Sequence, residues 1–180
     1  MSTKSSNIFL IGYRGSGKST VGRRLGELLA WPAVDADTEL EARAGKSIKD
    51  IFASGGEAAF RELETRVISD LASRKDHVIS LGGGAILSDA NRKAIKGRGP
   101  VVWLQASPET LFARINADPT TEERRPNLTA QGGVDEIRTL LAERTPKYKA
   151  SADLAVDVNR LDPDEIARQI LAALTKRKLV

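Results

Sequence analysis

The chain has 180 residues, of which 41% are hydrophobic and 29% charged, a length suited to one full core rather than two. It has no Cys and a single His, which excludes disulfides, zinc–thiolate centres, thiol nucleophiles and histidine metal clusters, so any metal is expected to be a hard, oxygen-bound ion such as Mg²⁺. The net charge of +4 with only 4% aromatic residues suits a cleft for phosphates and carboxylates better than a nucleic-acid surface.

No apolar run is long enough to span a bilayer, and Ile8 to Ile11 is too short for a signal-peptide core, so a cytoplasmic protein without membrane attachment is expected. Strand-like and helical apolar patterns alternate, the mark of a parallel sheet covered on both faces. Asn7 to Ile11 reads as the first strand and Lys18 to Ala30 as the helix after it. Trp31-Pro32 breaks that helix before a short strand from Ala33 to Asp35. Short helices are expected over Thr38 to Ala44 and Ile48 to Ala53, and Gly55-Gly56 separates them from a longer one over Glu57 to Ser73.

His77 to Leu81 reads as the third strand and runs into Gly82-Gly83-Gly84. A short helix over Asn91 to Lys96 precedes the fourth strand, Pro100 to Gln105. Ser107-Pro108 starts a helix reaching about Asn116. Residues 117–133 form a polar segment punctuated by Pro and Gly, long for a connector. A helix over Val134 to Thr145, a strand over Leu154 to Val158, and a final helix opened by Asp162-Pro163-Asp164-Glu165 complete the pattern. The expected organisation is one α/β domain over residues 1–180.

Gly12-Tyr13-Arg14-Gly15-Ser16-Gly17-Lys18-Ser19 fits G-x-x-x-x-G-K-[ST] in full, between an apolar strand and an amphipathic helix. In this phosphate loop (12–20), the amides of Gly15, Ser16 and Gly17 turn inward toward phosphate oxygens. Lys18 reaches the β- and γ-phosphates, Ser19 coordinates Mg²⁺, and Thr20 lies near the α-phosphate. The motif alone does not choose among switch, motor and kinase. No N-K-x-D segment is present to read guanine, and the third strand ends in glycines rather than the acid of a motor ATPase.

Other residues suit a small second substrate. Asp35 and Asp37 are two apart at the end of the second strand, where ligands gather in open α/β sheets. One could hold Mg²⁺ through water while the other accepts a hydrogen bond from the attacking hydroxyl; a helix cap plus an exposed acid is the plainer alternative. Arg61 and Glu64 share a helix face, either as a solvated ion pair or as a braced guanidinium that grips a substrate carboxylate. The three glycines give either a loose turn or bare backbone for a ligand ring. Arg124-Arg125-Pro126 lies in the long polar segment, where a lid carrying an arginine would suit phosphoryl transfer.

The ordered set GYRGSGKST, Asp35-Ala36-Asp37, FRELE, GGG, Arg125-Pro126 and Arg144-x-Pro146-x-Tyr148 resembles the shikimate kinase family across nearly the whole chain. The resemblance implies a P-loop kinase fold, a three-layer α/β/α sandwich whose five-stranded parallel sheet has the order 2-3-1-4-5. It implies a substrate-binding region at about 36–64 and a lid at about 117–133. It also implies ATP-dependent phosphorylation of the 3-hydroxyl of shikimate in aromatic amino-acid (chorismate) biosynthesis, by a monomer acting on a small molecule and not on nucleic acid. Residue by residue, it implies that Asp37 holds the reacting hydroxyl and Asp35 faces the Mg²⁺ shell. Arg61, Arg144 and Gly82, Gly83 and Gly84 would bind the substrate, Arg125 would be the lid arginine, and Arg114 and Arg160 would flank adenine. The lid departs from the family pattern, because Asn127 and Leu128 follow Pro126 where two leucines are usual; Arg124 is the rival lid arginine. Related kinases of gluconate or nucleotides, and a non-catalytic ATP-binding protein, are the alternatives.

Overall fold

The computed structural model describes residues 6–118, 132–160 and 162–180. Its centre is β1 (Ile8–Ile11), whose four residues are all buried. A strand covered on both faces needs no polar alternation, hence the unbroken run Ile-Phe-Leu-Ile. β1 lies between β3 (Val78–Ser80) and β4 (Val101–Gln105), with β2 (Ala33–Asp35) outside β3 and β5 (Leu154–Asp157) outside β4. All four pairings are parallel and the order is 2-3-1-4-5, the topology implied by the resemblance.

Alternate β1 side chains feed two cores. Ile8 and Leu10 join Val21 and Leu25 of α1 (Lys18–Leu29) on one face, together with Ile166, Ile170 and Leu174 of the last helix, α7 (Pro163–Lys176). Phe9 and Ile11 join Leu40 of α2 (Ala36–Ala44), Phe60, Ile68 and Leu71 of α3 (Ile48–Ser73), and Tyr148 on the other face. Gly56 adopts φ 70° inside α3, so this element is the expected pair of helices joined across a kink. Among the described residues, no helix is long and apolar enough to cross a membrane.

The remaining helices are α4 (Asp89–Ile95), α5 (Pro108–Ala117) and α6 (Gly133–Ser151). A 3₁₀ turn, Ala85–Leu87, follows the triple glycine and was not foreseen. The one large departure from the sequence reading is α6, expected to stop at Thr145, which continues through Pro146 to Ser151. Proline removes a backbone donor and costs roughly 3 kcal/mol inside a helix. One contact works against that cost: Tyr148, two residues on, is buried with its hydroxyl bonded to Gly83. Tertiary anchoring outweighs the local stop signal. Of the long polar segment, residues 119–131 lie outside the described residues; these include Arg124, Arg125 and Pro126.

α2 and α3 carry the acids and arginine of interest and are tied together by charge. Arg43 bonds Glu39 at 2.8 Å and Asp70 at 2.5 Å, and Arg74 reaches Glu39 at 3.2 Å. The hydrogen bonds from Arg43 hold both the Glu39 and Asp70 carboxyls below their ordinary range.

Candidate active site

The carboxyl ends of β1, β2 and β3 are adjacent, and each delivers one part of the site. β1 runs directly into the phosphate loop. Gly15 (φ 83°) and Gly17 (φ 88°) take left-handed backbone there, which only glycine adopts without strain, and Gly17 is the N-cap of α1. The loop is closed from beneath by Lys18, whose Nζ donates to the carbonyls of Gly12 at 2.9 Å and Tyr13 at 3.0 Å. From β3, the Ser80 hydroxyl donates to the Lys18 carbonyl at 3.0 Å and pins the first turn of α1 to the sheet. Ser16 is buried and its Oγ has no hydrogen-bond partner among the described residues.

β2 ends in Asp35, which does two things at once. Its Oδ1 accepts from the amides of Asp37 at 3.0 Å and Thr38 at 3.1 Å, capping α2. Its Oδ2 accepts from the Ser19 hydroxyl. The helix-cap reading therefore holds for this residue, and its second carboxylate oxygen faces the phosphate loop at Ser19. One hydroxyl and one carboxylate oxygen side by side are the kind of donor set Mg²⁺ takes when phosphate and water complete its shell. Among the described residues, no cluster of three or more His, Cys, Asp or Glu competes as a metal centre.

β3 ends in the triple glycine, and the space above each glycine is already taken. A Cβ on Gly82 would lie 2.8 Å from Asp37 Oδ1, one on Gly83 3.2 Å from the Arg14 amide, and one on Gly84 2.9 Å from an Arg61 guanidinium nitrogen. This turn thus gathers the acid from α2, the phosphate loop and the arginine from α3. Arg61 is braced as the sequence suggested: Glu64, buried, accepts from it at 2.9 Å, and the guanidinium lies 5.1 Å over the Phe60 ring, itself stacked on Phe52.

A cavity of about 260 Å³ opens between these parts. Lys18, Ser19 and Thr20 line one side, Asp35, Asp37 and Glu41 another, with Gly82, Gly83, Ile48 and Asp118 completing it. Arg61 and Arg144 do not line this cavity. Arg61 lies against Gly84, the residue after the lining Gly83, and Arg144 lies 5.2 Å over the ring of Tyr13. Arg114 donates to the Val158 carbonyl at 2.6 Å, which brings it beside the segment carrying Asn159 and Arg160. Arg160 lines a separate groove with Ser107, Thr110 and Asn159 along β5.

Sequence reasoning missed Ser80, Glu41, Tyr13 and the roles of Tyr148 and Phe52. A polar residue ending an apolar strand run was the available signal for Ser80, and the one-turn spacing from Arg144 was the signal for Tyr148. Glu41, which accepts from the Ile48 amide at 3.0 Å and closes the α2–α3 turn, left no sequence trace.

Tyr148 donates to the Gly83 carbonyl at 2.6 Å and stacks on Trp103. Burial pushes its phenol up to about 12, with the nearby Arg144 offsetting part of the rise. A folded-state value above the unfolded one, near 10, contributes stability that is fully present below pH 10 and lost as pH rises toward 12. Thermal unfolding is thus expected to stay level up to about pH 10 and then to fall. Tyr148→Phe should remove part of that alkaline loss, as chemical denaturation at pH 8 and pH 11 would record.

A parallel sheet of this order, a phosphate loop after its first strand and an acid–arginine wall facing that loop define a P-loop kinase. The chain belongs to the shikimate kinase family, whose model matches residues 14–175. It is 45% identical to a shikimate kinase of Rhodopirellula baltica over 94% of this chain and 91% of that one. The shikimate kinase of Acinetobacter baumannii, solved in complex with shikimate, superposes with a TM-score of 0.91 at 37% identity, covering 99% of this chain and 97% of that one. The shikimate kinase of Aquifex aeolicus gives a TM-score of 0.81 at 38% identity, over 96% and 98% of the two chains.

Proposed function

We propose that this enzyme transfers the γ-phosphoryl group of ATP to the 3-hydroxyl of shikimate, giving shikimate 3-phosphate and ADP in chorismate biosynthesis. The observation that carries the reading is the glycine turn at 82–84, where Asp37, the phosphate loop and Arg61 meet within one stretch of backbone. An acceptor seated on that turn has an acid for its hydroxyl, a guanidinium for its carboxylate and the phosphate loop within reach.

The loop amides and Lys18 bind the β- and γ-phosphates and neutralise charge there. Asp37 orients the acceptor hydroxyl and takes its proton as the new P–O bond forms. Arg61, braced by Glu64, grips the carboxylate with its planar fork, and Arg144 binds from α6. Ser19 and, through water, Asp35 are the residues for Mg²⁺, which when bound supplies charge neutralisation at the phosphate oxygens. Arg125 is assigned as the lid arginine over the transferring group, and Arg114 and Arg160 flank the adenine. Residues 36–64 serve as the acceptor-binding region and 117–133 as the lid of a single domain. The enzyme works as a cytoplasmic monomer on small molecules.

ADP release measured with shikimate, gluconate and AMP as separate acceptors tests the reading. Strong preference for shikimate is expected; turnover with gluconate or AMP alone would overturn it. Arg61→Ala should raise the KM for shikimate by about tenfold to a hundredfold with a smaller change in kcat, since a charge-assisted bidentate contact contributes about 1.5–3 kcal/mol. Unchanged shikimate affinity in that variant would remove Arg61 from its role.

A further inference from the structure

Tyr13 occupies the second position of the phosphate loop, where backbone amides do the binding and nothing in the cradle requires an aromatic side chain. Its side chain nevertheless is buried, at 3% exposure, in a small cluster with Leu111 of α5 and Ile137 of α6. It therefore points away from the phosphates and toward the helix that carries Arg144. The Arg144 guanidinium lies 5.2 Å over its ring. One turn further along α6, Tyr148 bonds the Gly83 carbonyl, so the same helix also holds the glycine turn.

We propose that Tyr13 is a positioning residue for the acceptor: its ring supports the Arg144 guanidinium, so a residue of the nucleotide loop sets affinity for the acceptor carboxylate. The inference rests on the proposed role of Arg144. A long arginine on a helix surface is free to sample many rotamers, and binding a carboxylate with it requires fixing one. A buried aromatic face attracts the cation and narrows that sampling beforehand. Burial holds the Tyr13 phenol above its ordinary value, so the ring stays neutral across the physiological range. The contact also ties the loop, through α6, to the turn at Gly83, which Tyr148 of the same helix holds.

Steady-state kinetics on the full chain provide the test. Tyr13→Leu keeps an apolar filling but removes the ring, and should raise the KM for shikimate about threefold to tenfold. The KM for ATP should stay within about twofold, because the loop backbone is untouched. Tyr13→Phe keeps the ring and should restore shikimate KM to near the wild-type value. In an Arg144→Ala background, Tyr13→Leu should add nothing, the signature of two residues acting as a unit. The proposal is overturned by an unchanged shikimate KM in Tyr13→Leu, by an equal rise in ATP KM, or by an undiminished effect in the Arg144→Ala background. If the leucine variant does not fold, Tyr13→Met fills the same space with a flexible chain and permits the same comparisons. A wild-type enzyme with no shikimate-dependent ADP release would sink the proposed function itself; normal activity without these shifts would sink only the part given to Tyr13.

Discussion

Lys18→Met is expected to lower turnover by at least about a hundredfold to a thousandfold, the range seen when one preorganised charge is removed from a transition state. The lysine has two tasks that methionine cannot perform. In the structure its ammonium bonds the carbonyls of Gly12 and Tyr13 and so draws the loop closed around its amides. In its proposed role with nucleotide bound, the same point charge would face the β- and γ-phosphates, where negative charge moves as the bond to the leaving oxygen breaks. Methionine has a similar length and no charge, so it preserves packing while removing both. ADP formation at saturating ATP and shikimate measures the loss, and a melting temperature within a few degrees of wild type would show that the fold is kept. Turnover within tenfold of wild type would refute the assignment of the loop as the catalytic phosphate cradle.

Asp37→Asn comes second in expected size. A positioned general base contributes typically about 10²–10⁴-fold, and asparagine keeps the shape while losing the capacity to take a proton. We expect kcat to fall by about a hundredfold or more while shikimate KM moves by less than about fivefold. The carboxylate lies against Gly82, which lines the cavity together with the phosphate-loop residues. A large rise in KM with kcat preserved would make Asp37 a binding residue and leave proton removal to solvent. Asp35→Ala should behave differently, because that carboxylate also caps α2 and loss of the cap costs about 1 kcal/mol of stability in addition to any effect on rate.

Much of this was legible from residues alone, and the reason is local. The phosphate loop is contiguous, so its glycines, lysine and serine announce themselves in one octapeptide. Asp35 and Asp37 end a strand, and strand ends in parallel sheets converge on ligands. The Arg61–Glu64 brace needed only helical spacing. What sequence left open was which alternative held, and which distant segments met. That Asp35 serves at once as cap and as partner of Ser19 depends on β2 and α1 lying side by side, which no spacing rule encodes. The glycine turn was read as either a loose turn or bare backbone for a ligand ring, and no spacing rule encodes that Asp37, Arg14 and Arg61 gather around it. The helix through Pro146 was misread because the local signal, a proline, is real; the buried Tyr148 that overrides it bonds a residue 65 positions away.

The crowding around Gly82, Gly83 and Gly84 restricts how such an enzyme can evolve. A methyl group at the first or third would displace Asp37 or Arg61, and at the second would press on the Arg14 amide of the phosphate loop at 3.2 Å. New acceptor preferences in descendants of this scaffold would therefore arise in the walls of the cavity, at positions such as Glu41 or Ile48, while the floor between them stays bare.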